Sequence, residues 1–144
     1  IKGARMWQGC RFAIDNQMKN VAFLRTQIDY VNLCFDKGEI EEIWITFPDP
    51  QPKKKNKRLT SLRFLERYKQ CIANHAKINL KTDSDLLYQY TQELIAENHY
   101  KILERIDDIY ATKSRRPELD ILTYYEKMWL DRGLKIKYLQ FQID

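Results

Sequence analysis

The hydrophobic positions alternate between helical and strand-like spacing along the whole chain. Trp7, Cys10, Ile14 and Met18 recur at helical intervals and predict a helix over Met6–Met18, with Lys19 and Asn20 at its end. Ile1–Arg5 reads as a loop leading into it. Val21–Leu24 is a short apolar run of strand type. A second helical stripe, Ile28, Val31 and Phe35, stops at Lys37 and Gly38. Ile43–Phe47 is β-branched and aromatic without charge or glycine, the pattern of a strand covered on both faces. Thr60 or Ser61 is placed to cap a helix carrying Leu62, Leu65, Tyr68 and Ile72 on one face, and His75 falls in the turn after it. Ile78–Thr82 predicts a strand and Ser84–Glu97 a helix with Leu87, Tyr90, Leu94 and Ile95 on its apolar side. Tyr100–Tyr110 reads as an edge strand and Ala111–Pro117 as a basic loop. Leu122–Arg132 is helical and closes at Gly133, and Ile136–Ile143 is a closing strand able to pair antiparallel with its neighbour. Helix and strand in strict alternation point to an α/β three-layer sandwich in one domain over residues 1–144.

The stretch IWITFPDPQPKKKNKR, Ile43–Arg58, carries the chemistry. Pro48, Pro50 and Pro52 each lack an N–H and push the preceding residue out of helical geometry, so Asp49 sits on a stiff extended loop. In open α/β sheets ligands bind beyond the carboxyl ends of the strands, where this order puts Asp49. Lys53, Lys54, Lys55, Lys57 and Arg58 follow at once. A cation cluster beside a fixed carboxylate suits a polyanionic substrate whose reacting group is not the phosphate. A solvated lysine loop and a proline turn would leave the same letters. Asp83, at the end of the next apolar run, would place a second carboxylate on the same rim, or would simply cap the helix that follows. Lys113, Arg115 and Arg116 form a second candidate for phosphate contact.

Composition narrows the class. The 144 residues are 44% hydrophobic and 31% charged, with a net charge of +5, enough for a packed core and permissive of nucleic acid. No apolar stretch has the length of a membrane span and the first residues lack a signal-peptide core, which makes the cytoplasm the expected compartment. Cys10, Cys34 and Cys71 are too scattered for a disulfide framework or a zinc site and read as reduced thiols; no metal is expected.

The string FPDPQPKKKNKRL resembles the signature of bacterial tRNA (guanine-N7)-methyltransferases, roughly F-x-D-P-W-x-K followed by K-R-R. Lys81, Thr82, Asp83 and the later Thr123, Tyr124, Tyr125, Glu126 agree with the same family in order and separation, so the resemblance covers essentially the whole chain. It implies a Rossmann-like class I S-adenosylmethionine-dependent methyltransferase sandwich, here without its N-terminal strands and glycine-rich loop, since no G-x-G-x-G occurs among the four glycines. The chain is accordingly expected to be N-terminally incomplete. The resemblance further implies methyl transfer to N7 of a guanine in the tRNA variable loop, with S-adenosylmethionine as donor and tRNA as partner, in a monomer or homodimer. Asp49 would be catalytic and would touch the cofactor together with Gln27, which stands where the family commonly carries an acidic residue. Lys53, Asp83, Thr123, Tyr124, Tyr125 and Glu126 would bind substrate, and Lys54, Lys55, Lys57 and Arg58 the RNA backbone. Gln51 replaces the tryptophan usual in the motif and removes a stacking face. An exocyclic-amine methyltransferase and a catalytically silent RNA-binding domain are the alternative readings.

Overall fold

The computed structural model describes residues 3–112 and 116–143. Four strands form one sheet: β1 (Ile40–Thr46), β2 (Ile72–Thr82), β3 (Lys101–Ile106) and β4 (Lys137–Gln142), in the spatial order β1-β2-β4-β3. β1 and β2 run parallel, and β4 is inserted antiparallel to both β2 and β3. The closing strand therefore pairs antiparallel as its sequence predicts, and β3 is an edge strand, shorter than the Tyr100–Tyr110 stretch expected for it. Helices α1 (Gly3–Asp15), α2 (Leu62–Tyr68), α3 (Asp85–Glu97) and α4 (Tyr124–Leu130) connect them, with 3-10 turns at Ile28–Leu33, Lys55–Lys57 and Pro117–Asp120. None of the described helices is long and apolar enough to cross a membrane.

Strand alternation divides the interior in two. Ile45, Ile78, Leu80, Leu139 and Phe141 point to one face and pack with Phe64, Leu65, Tyr68, Leu87 and Leu94 from α2 and α3. Their alternates point to the other face, where Tyr138 meets Ile106, Ile109, Leu119 and Ile136, with Trp44 and Trp129 against them. That second face also holds buried polar groups. The Asn79 carbonyl accepts from the Tyr138 hydroxyl at 2.6 Å and from Gln140 Nε2 at 2.8 Å, while its amide donates to Glu42 at 2.8 Å and to the Ile43 carbonyl at 3.2 Å. All four hydrogen-bonding positions of the amide are used, which is what permits an asparagine with no exposed surface in the middle of a sheet.

Several sequence expectations are corrected. Val21–Leu24 is not a strand: it runs as exposed coil beside α1, with the Phe23 ring so near Gly9 that a Cβ there would come within 2.9 Å. A strand needs a hydrogen-bonding neighbour, and among the described residues the sheet stops at β1. For the same reason β1 is an edge, covered less than an all-apolar strand suggests, with only Ile45 fully buried. Ile28–Leu33 is a 3-10 turn rather than an α-helix. α2 ends at Tyr68, so Ile72 opens β2, and His75 lies within that long strand at φ 59°, where the register between β1 and β2 shifts. Gly3–Arg5 belong to α1 rather than to a loop, and Ile1 and Lys2 lie outside the described residues.

Three tyrosines tie this core to alkaline pH. Burial raises the hydroxyls of Tyr68, Tyr88 and Tyr138 above the ordinary phenol value of about 10, that of Tyr138 to about 12 and those of the other two further. A folded-state pKa raised above its unfolded value gives stability that is complete below the unfolded pKa and is lost as pH climbs toward the folded one. Urea unfolding is expected to show a midpoint that falls steadily between about pH 10 and pH 12. A flat profile over that window would contradict the burial of these hydroxyls.

Candidate active site

The carboxyl ends of β1 and β2 lie side by side, with Thr46 in register with Lys81. The chain leaves β1 through Phe47 at φ 48°, which still donates its N–H to the Lys81 carbonyl at 2.8 Å, and reaches Asp49. Asp49 is exposed, and its Oδ1 accepts from the Gln51 N–H at 2.9 Å. This side-chain-closed turn holds Gln51 at φ 45°. Left-handed geometry at two non-glycine residues costs of order 1–3 kcal/mol each and needs surrounding contacts to maintain it. Asp83 follows the end of β2 directly, so both carboxylates stand on one rim. Capping of α3 falls to Ser84, whose hydroxyl accepts from the Leu87 N–H at 3.2 Å, and not to Asp83. The Asp83 main-chain carbonyl is gripped by Lys137 Nζ at 3.2 Å.

Thr123–Glu126 closes the same end of the sheet. Thr123 Oγ1 accepts from the Glu126 N–H and the Glu126 carboxylate accepts from the Thr123 N–H, both at 3.2 Å, a complete capping box at the start of α4. The same carboxylate receives the Tyr110 hydroxyl at 2.8 Å and forms an ion pair with Lys81 Nζ at 2.7 Å. Lys81 also donates to the carbonyls of Leu119 and Ile121, each at 3.2 Å. Both charged side chains are almost wholly enclosed, at 3% and 0% exposure. Tyr124 and Tyr125 project outward instead, 70% and 42% exposed, with their rings edge to face at 5.7 Å. Arg5 of α1 reaches across to them, donating to the Tyr125 hydroxyl at 2.6 Å with its guanidinium 4.9 Å from that ring and 5.7 Å from Tyr124.

Charge is sorted by direction. Lys53, Lys54, Lys55 and Lys57 are exposed on the loop after Asp49. Arg58 is not: it is 2% exposed, its Nε donates to the Pro50 carbonyl at 3.0 Å and its guanidinium lies 4.3 Å from the centre of the Tyr90 ring. It therefore cannot present the open fork that a phosphate requires, which corrects its expected place among the RNA-facing cations. Glu126 is corrected likewise, since enclosure and three donors leave its carboxylate no surface for a substrate. Arg116 is turned onto Trp44, Glu42 and the Tyr138 hydroxyl and is no free phosphate contact, while Lys113 and Arg115 lie outside the described residues. Gln27 is exposed and caps nothing with its side chain. It precedes the 3-10 turn that Arg63 and Arg67 of α2 clamp through Asp29. Arg5 and the partnership of Lys81 with Glu126 were missed by sequence reasoning. No group of three or more His, Cys, Asp or Glu side chains among the described residues is arranged to hold a metal.

Three comparisons bear on this rim. A family model described as "Putative methyltransferase" matches residues 5–139. The chain is 49% identical over 141 residues to a Bacteroides fragilis protein and 51% identical over 142 residues to a Porphyromonas gingivalis protein, both named tRNA (guanine-N(7)-)-methyltransferase. Those matches cover 98% of this chain but only 56% and 58% of the relatives, so the chain spans somewhat over half their length. In fold it is similar to a geranyl diphosphate C-methyltransferase from Streptomyces coelicolor A3(2), with a TM-score of 0.54 at 12% identity, covering 97% of this chain and 61% of that one.

The buried pair and the helix cap should separate by magnitude. Glu126→Gln keeps the shape but leaves the Lys81 ammonium without a counter-charge, and is expected to cost about 3–5 kcal/mol in denaturant unfolding. Thr123→Ala removes one cap acceptor and should cost about 1 kcal/mol. Equal costs would mean that the pair contributes no more than the cap.

Proposed function

The chain belongs to the methyltransferase family that matches it over residues 5–139, and on that footing we propose that the protein transfers a methyl group from S-adenosylmethionine to N7 of a guanine in the tRNA variable loop. The observation that carries this reading is an exposed carboxylate, Asp49, fixed by its own turn beyond β1 and followed at once by four exposed lysines. The names borne by the two relatives above support the choice of tRNA and of N7.

The residues present fit part of the donor. Asp49 offers an exposed carboxylate to a cationic nucleoside, and Gln27 offers an exposed amide with both an acceptor and a donor for an adenine edge. S-adenosylmethionine, when bound, supplies an electrophilic methyl on a sulfonium. Guanine N7 already carries a lone pair on its outer edge, so the reaction needs no general base. What the protein must do is hold the base in line and keep water out, an effect that reaches on the order of 7–11 kcal/mol in well-oriented systems. Asp49 adds an electrostatic contribution: the ring becomes cationic as the methyl arrives, its N–H groups grow more acidic, and a fixed carboxylate accepting from them binds the transition state more tightly than the ground state. Lys53 contacts the substrate near the reacting base, with Asp83 and the Thr123–Tyr125 segment on the adjoining rim. Lys54, Lys55 and Lys57 follow the phosphates, each neutralised phosphate steepening the salt dependence of binding. Tyr124 provides an aromatic face of the kind that Gln51 lacks, and stacking of a base on such a face contributes about 1–3 kcal/mol. The chain acts as one methyltransferase domain, working in the cytoplasm where its tRNA is found.

Nucleoside mass spectrometry tests this. The full-length gene product, incubated with S-adenosylmethionine and unmodified bulk tRNA, is expected to generate 7-methylguanosine, and Asp49→Ala to lower the rate by about 100-fold. Absence of the nucleoside while the cofactor binds would shift the reading to another RNA methylation, and absence of both would favour a silent RNA-binding module. Undiminished methylation by Asp49→Ala would remove that residue from the mechanism.

A further inference from the structure

Arg58 ends a basic run, yet it is built into the protein. Its neighbours Lys54, Lys55 and Lys57 are exposed, whereas Arg58 is 2% exposed. A guanidinium is the least easily neutralised cation in a protein, so it stays charged when enclosed and its enclosure demands partners. Two are visible: the Pro50 carbonyl, which accepts from Nε at 3.0 Å, and the Tyr90 ring of α3, whose face lies 4.3 Å from the guanidinium carbon. Tyr90 in turn packs against the main hydrophobic cluster. The bond to Pro50 spans eight residues of chain and closes the loop that contains the lysines. The residues after Arg58 are also fastened to the same layer. The Leu59 carbonyl accepts from the Tyr68 hydroxyl at 3.1 Å, and the hydroxyls of Thr60 and Thr91 are 2.7 Å apart. At the other end of the loop, Pro50 lies between Asp49 and Gln51, the two residues of the side-chain-closed turn.

We propose that Arg58 is a positioning residue for Asp49: an internal cation that fastens the Pro50 carbonyl to α3 and thereby sets where the carboxylate stands relative to the exposed lysines. It acts through Pro50 and touches no substrate. The inference rests on the proposed methyltransferase reading for its effect on rate, but not for its effect on the loop. Without the clasp, the left-handed geometry at Gln51 is held by the Asp49 side chain and by the Lys54 N–H, which donates to the Gln51 carbonyl at 3.2 Å, both within the loop itself, and the carboxylate gains freedom. Misplacement of a catalytic group by an ångström can lower a rate by about 100-fold.

The test uses the full-length protein and compares Arg58→Met with Lys54→Ala and Lys57→Ala. Arg58→Met is expected to speed amide exchange at Gln51 and Lys54 by about tenfold or more and to lower kcat by about 10- to 100-fold, as expected for a displaced catalytic group. It should leave the slope of log Kd for tRNA against log salt as in the parent. The lysine variants are expected to do the reverse, reducing that slope by about 0.7–0.9 for each phosphate no longer neutralised while leaving exchange at Gln51 alone. Arg58→Lys keeps the charge without the planar fork and should restore part of both kcat and exchange protection. If Arg58→Met proves too unstable to study, Tyr90→Leu removes the ring face and must produce the same pattern in weaker form. A reduced salt slope with unchanged exchange would overturn the proposal and return Arg58 to the RNA-facing cations. If the parent protein does not methylate tRNA, the functional reading fails, while the exchange measurement still decides whether Arg58 clasps the loop.

Discussion

One ammonium group, that of Lys81, sets the arrangement of the rim. Lys81 stands on β2 with its side chain on the second face of the sheet, in the enclosed space where Asn79 and Tyr138 also lie. An ion of this size enclosed without compensation costs several kcal/mol, so the chain has to bring oxygen atoms to it. It brings the Glu126 carboxylate and two main-chain carbonyls from residues 119 and 121. Meeting that requirement pulls the 3-10 turn Pro117–Asp120 and the first turn of α4 onto the carboxyl end of β2. Thr123, Tyr124 and Tyr125 are thereby delivered to the rim that carries Asp83.

The other side of the rim is held by a second enclosed cation, Arg58, with a different partner set. Lys81 works through ion pairing to a carboxylate, whereas Arg58 works through a carbonyl and an aromatic face. In both cases an inward charge fixes main chain that presents other groups outward. This separates two populations of positive residues, which at Arg58 are adjacent in sequence. The inward ones define geometry, and the outward lysines supply the charge available to a polyanion. Arg5 adds a lateral tie, joining the start of α1 to the exposed tyrosines.

Much of this was legible in the sequence, for definite reasons. The run Ile78–Leu80 and the alternation before Ile143 have strand periodicity strong enough to locate β2 and β4, and proline chemistry placed Asp49 on a stiff loop. Thr123-x-x-Glu126 spells a capping box, and a lysine closing an apolar run asks for a counter-ion, so the Lys81–Glu126 link had a signal in the sequence. Val21–Leu24 failed because strand propensity cannot form a strand without a neighbour to bond to. Arg58 failed because composition cannot tell an arginine that turns inward from the lysines beside it; only the position of Tyr90, far along the chain on α3, decides that. Arg116 failed in the same way, its partners Glu42 and Tyr138 being distant in sequence.

A double-mutant cycle on the enclosed pair is the most direct measurement of this dependence. Lys81→Met, Glu126→Leu and the double variant would be compared by denaturant unfolding. Each single change leaves one charge enclosed without its partner, and each is expected to be strongly destabilising, while the double variant should lose far less than the sum, with a coupling of about 2–3 kcal/mol. Additive losses would contradict the account, since they would mean that the rim is held in place without the pair.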